Sequence, residues 1–284
     1  STGEGLGNKF LANIRENNAI VMVVRCFKDP NVIHVAGDVD PIQDIEVINI
    51  ELQLADLQMV EGVIPRLEKQ MKGKPEAGLT IATLKKIQDH LNQSKSVRTL
   101  PLTKEEEESI KGYNFITKKK VLYVMNVADS DLPLMENEYT KLVTAYAEKE
   151  GNKAIPICAK LEAEISQLEP EDRKAFLNDM GLEMSGLDRL IKASFEMLGL
   201  ITFITTGEIE TRAWTITKGM NAQEAAGKIH TDIQKGFIRA EVVTFDDMIK
   251  YEGRARAREA GKVRSEGKEY IVQDGDVILF MHNG

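Results

Sequence analysis

Val121-Leu122-Tyr123-Val124-Met125-Asn126-Val127-Ala128-Asp129 is the stretch on which the fold turns. Five apolar residues in succession read as a strand buried on both faces, and Asn-x-x-Asp follows where that strand runs out. An Asn and an Asp at this spacing can do two jobs on a purine. The amide fixes the loop or touches the ring, and the carboxylate accepts from ring nitrogens. The same residue types also favour turns and helix caps, so the tetrad taken alone reads as a turn. A second loop changes the balance: Cys158-Ala159-Lys160 closes the next apolar run, Ala154 to Cys158, where backbone N–H groups would face the same ligand. Ligands of parallel α/β sheets bind at the carboxyl ends of adjacent strands.

No Gly-x-x-x-x-Gly-Lys-Ser/Thr occurs between Ser1 and Gly284, so no motif in the chain cradles phosphates. The chain opens at Ser1 rather than Met. The expectation is therefore a nucleotide-binding protein whose amino-terminal, phosphate-handling part lies outside this chain.

With 42% hydrophobic and 29% charged residues over 284 positions, the composition is that of a globular chain with room for two domains. A net charge of -8 argues against wholesale coating by nucleic acid and leaves local basic faces to be judged separately. Cys26 and Cys158 sit singly in apolar runs, which predicts free thiols, a reducing compartment and a cytoplasmic location. The longest apolar run, Ala19 to Val24, stops at Arg25, far short of the roughly 20 residues of a membrane helix. No membrane partner is expected.

Outward from the central strand, Phe10, Leu11, Ile14 and Ile20 predict a short helix leading into a strand over Ala19–Cys26. Unbroken apolar strands of this kind suit a parallel sheet covered on both faces. Between the first two strands, Ile45, Ile48, Leu52, Leu57, Val60, Ile64 and Leu67 recur at helical intervals. Gly73-Lys74-Pro75 breaks that arm, and Leu79, Leu84, Ile87 and Leu91 continue on a second. This is an amphipathic helical hairpin, coiled-coil-like, packing on itself or offering a partner site. Thr103 with Glu106 predicts a capping box. Helices continue after Cys158 to a boundary near Gly199. Beyond it, Ile201–Thr206 and Arg212–Thr217 predict strands around a turn at Gly207-Glu208, Asn221 with Glu224 caps a helix, and Tyr270–Val272 with Val277–Phe280 read as a last strand or hairpin. Such a module is compact and β-grasp-like.

Arg254, Arg256, Arg258, Lys262, Arg264 and Lys268 are interleaved with only Glu259 and Glu266. That run reads either as a solvated helix face or as a contact with RNA phosphates, salt-dependent and largely indifferent to sequence. The four histidines, His34, His90, His230 and His282, are scattered away from the cysteines, so no metal site is expected. His230 suits a helix-end role, and Trp214 suits core packing.

Several longer motifs carry a resemblance: Gly3-Glu-Gly-Leu-Gly-Asn8, Val24-Arg-Cys-Phe27, Ile33-His34-Val35, Asp44-Ile-Glu-Val-Ile-Asn49, Arg212-Ala-Trp214, Ala225-Ala-Gly-Lys-Ile-His-Thr-Asp232 and Lys235-Gly-Phe-Ile-Arg-Ala240. Together they make the chain resemble the YchF-type, Obg-like ATPases essentially from end to end. The resemblance implies an α/β fold in three parts. Residues 1–43 and 117–199 would be the remainder of a Ras-like, OBG-type P-loop NTPase domain, residues 44–116 the helical insertion, and residues 200–284 a TGS domain with a ubiquitin-like β-grasp fold. Gly3, Gly5 and Gly7 would be a remnant of the second switch, with a flexible terminus as the alternative.

By the same resemblance the intact protein hydrolyses ATP, and GTP by virtue of Asp129, with Mg2+ as cofactor. A guanine-specific loop reads Asn-Lys-x-Asp; Val127 takes the place of the Lys, and Asp129 stands where this family commonly has Glu. ATP is thus expected over GTP, with Asn126 and the Val127 backbone at the adenine and Asp129, Cys158, Ala159 and Lys160 completing the base site. No residue of the chain is named catalytic, because the P-loop Lys and Asp-x-x-Gly are absent from it. The implied partners are the ribosome, its large subunit in particular, and RNA, bound by a monomer. An adaptor that binds ribosomes or RNA through the TGS domain and helical insertion, with nucleotide as a structural ligand only, is the second possibility. If strands normally flank Ala19–Cys26, that strand alone would be a bare apolar edge prone to aggregation.

Overall fold

A computed structural model describes residues 7–32, 37–70, 77–207 and 210–283. Gly3, Gly5, Ile33-His34-Val35, the Gly73-Lys74-Pro75 break and Glu208 lie outside the described residues. The chain divides between Ala193 and Ser194 into two compact units.

The first unit is built on a three-stranded parallel sheet whose spatial order is its chain order. Helix α1 (Asn8–Glu16) leads into β1 (Ala19–Arg25), as the apolar spacing predicts. Helices α2 (Pro41–Gln70), α3 (Ala77–Asn92) and α4 (Lys104–Ser109) follow before β2 (Lys120–Asn126). Then come α5 (Glu138–Lys149), β3 (Lys153–Ile157), α6 (Ala159–Ser166), α7 (Pro170–Asp179) and α8 (Gly186–Leu198), the last spanning the division.

Helix α2 serves two cores because its buried positions recur every three or four residues, from Pro41 to Ile64, along one face of a long helix. Ile45, near its start, packs with Met22, Val24, Tyr123, Met125, Val143 and Ala147 over the sheet. Val60 and Ile64, near its end, pack with Leu84, Ile87 and Leu91 of α3 and with Val97, Ile110 and Phe115. Leu79, expected on the buried stripe, is instead 46% exposed. The Thr103–Glu106 capping box forms at the start of α4.

Strand β2 is buried from Val121 to Met125, as its unbroken apolar run predicts. Strand β1 departs from that expectation. It is the outer strand among the described residues, and while Met22 and Val24 face the core, Val21 and Val23 are 46% and 68% exposed. Alternation in a strand sends successive side chains to opposite faces, and only one face of β1 is covered. With Phe10, Ile14 and Ile48, Val21 and Val23 line a groove of about 370 Å³.

The least expected element of this unit is a buried carboxylate. Asp56, fully buried on α2, accepts hydrogen bonds from the backbone N–H of Ile116 (3.0 Å) and Thr117 (2.8 Å), from Thr117 Oγ1 (2.8 Å) and from Arg15 Nη1 (2.9 Å). One side chain thereby ties α1, α2 and the turn that enters β2.

The second unit is a five-stranded mixed sheet. It comprises β4 (Leu200–Thr206), β5 (Thr211–Thr217), α9 (Ala222–Ile229), α10 (Thr231–Lys235), β6 (Phe237–Thr244), α11 (Phe245–Lys250), α12 (Arg254–Glu259), β7 (Arg264–Glu266) and β8 (Asp276–His282). The strand order is β5-β4-β8-β6-β7, with β4 parallel to β8 and the other pairs antiparallel. Ala222, Ala225 and Ala226 bring α9 close onto Phe203, Ile216, Ile278 and Phe280. Val243 and Val277, one residue out of phase with that face, pack instead with Ala257, Met248 and Tyr251.

The hairpin β4–β5 and the Asn221–Glu224 cap stand as the sequence predicts. Tyr270–Val272 does not pair with β8. It crosses to the start of α9, where the Tyr270 carbonyl accepts from Ala222 N–H at 2.8 Å, and β8 pairs with β6.

Candidate nucleotide-base site

The two loops singled out from sequence meet at the carboxyl edge of the parallel sheet. Parallel register sets Asn126 opposite Arg25 on one side and Ile157 on the other, so both strands end level. Asn126 Oδ1 accepts from the backbone N–H of Ala159 at 3.0 Å, and Val127 N–H donates to the Ile157 carbonyl at 2.9 Å. The loops are therefore cross-linked by one side-chain and one backbone bond. Val127 is buried, and its N–H and that of Ala159 are both engaged within the protein. Cys158 is buried beneath the second loop as the residue before α6.

Asp129 opens a short turn, and Lys160 stands in the first turn of α6. Lys160 Nζ donates to Asp129 Oδ2 at 2.5 Å, with both side chains more than half exposed. The hydrogen bond and positive charge of Lys160 hold the Asp129 carboxyl below the usual carboxylate range, and Asp129 raises Lys160 in return. Burial of Cys26, whose N–H donates to the Asn126 carbonyl at 2.8 Å, pushes its thiol up to about 12.

Two residues that sequence did not single out hold the first loop. Asp131 Oδ2 accepts from Ala128 N–H (3.3 Å) and from Asn137 Nδ2 (2.9 Å), and the same Asn137 amide donates to the Cys26 carbonyl (2.8 Å). Asn137 also caps α5, with Thr140 at the reciprocal position. The Asn-x-x-Thr spacing was available as a cap signal. In the second loop's helix, Glu162 accepts from the N–H groups of Gly186 (2.6 Å) and Leu187 (3.1 Å), fixing the start of α8 to α6. Gly7, the described one of the three amino-terminal glycines, precedes α1, and its carbonyl accepts from Phe10 N–H at 2.8 Å.

The basic run of the second unit is not one face. Arg254 is half-buried, and its guanidinium donates to the carbonyls of Glu241 (3.0 Å) and Val277 (3.3 Å), bridging β6 and β8; it serves the fold and is not free for phosphate. Arg256 is paired with Glu252, and Arg258 with Glu241. Arg264, on β7, donates to Tyr270 Oη at 3.0 Å and lies 3.5 Å from a Glu266 oxygen. Lys262 and Lys268 are exposed without an ion pair among the described residues. Spacing along the chain could not show this, because the acidic partners Glu241 and Glu252 precede the run. His230 caps α10, its Nδ1 accepting from Asp232 N–H at 3.2 Å, which is the helix-end role expected of it. Trp214 stacks on Phe203 and donates to Thr205 Oγ1 at 2.8 Å, with the Arg212 guanidinium 4.3 Å from its ring centre.

Known proteins bear on this geometry. The family model YchF-GTPase_C, described as "Protein of unknown function (DUF933)", matches residues 200–283. The ribosome-binding ATPase YchF of Haemophilus ducreyi is 50% identical over 284 residues, covering 100% of this chain and 78% of that protein. Its namesake in Bacillus subtilis is 49% identical over 285 residues with the same coverage. Of solved structures, the Schizosaccharomyces pombe YchF GTPase superposes with a TM-score of 0.85 at 33% identity, over 99% of this chain and 76% of that one. A GTP binding protein from Pyrococcus horikoshii OT3 shares the fold, with a TM-score of 0.60 at 20% identity.

Proposed function

Because this chain belongs to the YchF family, we propose that it supplies the base-reading loops of an ATP-preferring P-loop nucleoside triphosphatase that binds ribosomes in a nucleotide-dependent way. The observation that carries this is the junction of two strand-end loops by the 3.0 Å bond from Ala159 N–H to Asn126 Oδ1, at the edge of the sheet where ligands of α/β proteins bind. Val127, standing where a guanine-specific loop has Lys, supports adenine over guanine.

We read the second unit as a TGS domain of β-grasp type, on the ground of a mixed sheet with α9 across one face, and α2 with α3 as the helical insertion. Lys262 and Lys268 are the residues proposed to meet RNA phosphates on the ribosome's large subunit. A cytoplasmic monomer is the proposed working form. Among the described residues no helix is long and apolar enough to cross a membrane. Mg2+ would accompany the nucleotide phosphates. Among the described residues no three His, Cys, Asp or Glu side chains are grouped to hold a metal ion.

Phosphate release from the intact protein, measured with and without ribosomes, tests the proposal. Ribosome-stimulated turnover of ATP supports it. Tight nucleotide binding without turnover favours an adaptor with nucleotide as a structural ligand, and a clear preference for GTP in competition overturns the base assignment.

A further inference from the structure

Two ion pairs hold the helical segment against the sheet, and they are built differently. Along α2 the buried side chains change from apolar to polar and back. Ile45 belongs to the core over the sheet and Val60 and Ile64 to the helical core, while Asn49, Gln53 and Asp56 are buried between them. A polar stretch thus separates the two cores. Buried ion pairs often contribute no more than well-packed apolar residues would, so stability alone does not account for such a joint.

Asp56 is the fixed point. Its carboxylate is fully buried and takes bonds from Arg15 of α1 and from Ile116 and Thr117, where the chain returns to β2. The Thr117 hydroxyl also accepts from Val97 N–H at 3.1 Å, and Gln53 Nε2 donates to Ser96 Oγ at 3.2 Å. The outgoing helix and the returning turn are thereby fastened together at one level.

The second pair can part while both halves stay in place. Arg98 Nη1 donates to Glu150 Oε2 across 3.3 Å, with side chains 6% and 14% exposed. Arg98 is anchored in the helical segment, its Nε donating to the Thr117 carbonyl at 3.0 Å. Glu150 is anchored beside the sheet, where Oε2 also accepts from Tyr123 Oη (2.9 Å) and Asn152 Nδ2 (3.0 Å). The closed joint also leaves two buried atoms, Arg98 Nη2 and Asn49 Oδ1, without a partner among the described residues. Closing it therefore forfeits bonds that water would supply.

We propose that Arg98–Glu150 is a releasable latch: the helical segment swings on α2 about Asp56, closed with the pair made and open with it parted.

The test is the distance between spin labels at Asp89→Cys on α3 and Lys141→Cys on α5, measured by double electron–electron resonance on the intact protein. No nucleotide is added, so failure here leaves the function proposed above untouched. Both positions are exposed, whereas Cys26 and Cys158 are buried. Two distances are expected in the labelled parent. Arg98→Met raises the second relative to the first by about tenfold, the effect of one hydrogen bond to a charged group. Glu150→Gln moves the ratio the same way from the sheet side, and it carries the test if circular dichroism shows Arg98→Met unfolded. Arg98→Lys, which keeps the charge, restores most of the closed distance.

One distance, the same in the parent, Arg98→Met and Glu150→Gln, overturns the latch. A loss of stability in urea with the distances unmoved also overturns it and leaves Arg98 a structural residue of the joint.

Discussion

Replacing Asp56 with Ala should loosen the first unit more than any surface change, and the structure sets the size of the effect. The substitution strands two buried backbone N–H groups, those of Ile116 and Thr117, leaves the Thr117 hydroxyl without its acceptor and takes one acceptor from Arg15, whose guanidinium also reaches the Ala55 and Asn114 carbonyls. A buried, unsatisfied donor costs about 1–3 kcal/mol. Arg15 is 24% exposed and can turn to water, so its loss is smaller than that of a sealed partner. Together these give about 3–5 kcal/mol, the usual cost of removing one member of a buried charged pair.

Asp56→Asn should cost less, because one arm still accepts while its amide opposes N–H donors on the other. Amide hydrogen exchange at Ile116 and Thr117 is the direct assay: where exchange follows opening of this region, it should be about a hundred- to several thousandfold faster in Asp56→Ala. Trp214, the chain's one tryptophan, lies in the second unit and serves as an internal control whose unfolding should not move. Protected amides in Asp56→Ala, with a loss of stability below about 1 kcal/mol, would refute the inference that this carboxylate ties three elements together.

Arg254→Met should destabilise the second unit by about 1.5–3 kcal/mol, read from Trp214 fluorescence in urea, since it removes donors to the Glu241 and Val277 carbonyls. Charge reversal at Lys262 and Lys268 should leave that transition in place and weaken ribosome co-sedimentation, most visibly at low salt. Cys26, buried and with its thiol pushed up to about 12, should resist alkylation at mildly alkaline pH until the protein is denatured; labelling of the native protein would contradict its burial. The Asp129–Lys160 pair should dissolve at both pH extremes. A depressed carboxylate gives its contribution at neutral pH and loses it as pH falls through its folded value, and a raised lysine loses its own as pH rises through its folded value. Carboxyl chemical shifts should place the Asp129 midpoint below the usual range in the wild type and back within it in Lys160→Met.

Local rules carried much of the fold. The strand-end tetrad, the second loop and three cap signals, Thr103–Glu106, Asn221–Glu224 and His230, stand where short-range chemistry puts them. Long-range pairing was illegible. Nothing around Asp56 announces that its partners lie sixty residues away, and Arg254 gives no sign in sequence that β6 and β8 will claim it. Strand β6 escaped notice because Arg239 and Glu241 interrupt an otherwise apolar run, although Ala240 and Val242 alternate with them on the buried face. At the two strand-end loops the residue types could be read from sequence, but the Ala159–Asn126 bond and the Lys160–Asp129 pair that join them could not.

The placement of α2 and α3 between β1 and β2 bears on the order of assembly. Ala19 must find Lys120 across the whole helical segment, and closing so long a loop of free chain is entropically costly and slow. The core of Val60, Leu84, Ile87 and Phe115 draws most of that segment into a compact knot with its own apolar interior. A helical segment with its own core, formed early, would shorten the search of β1 for β2, and the sheet edge on which both loops stand would then be the product of that prior packing.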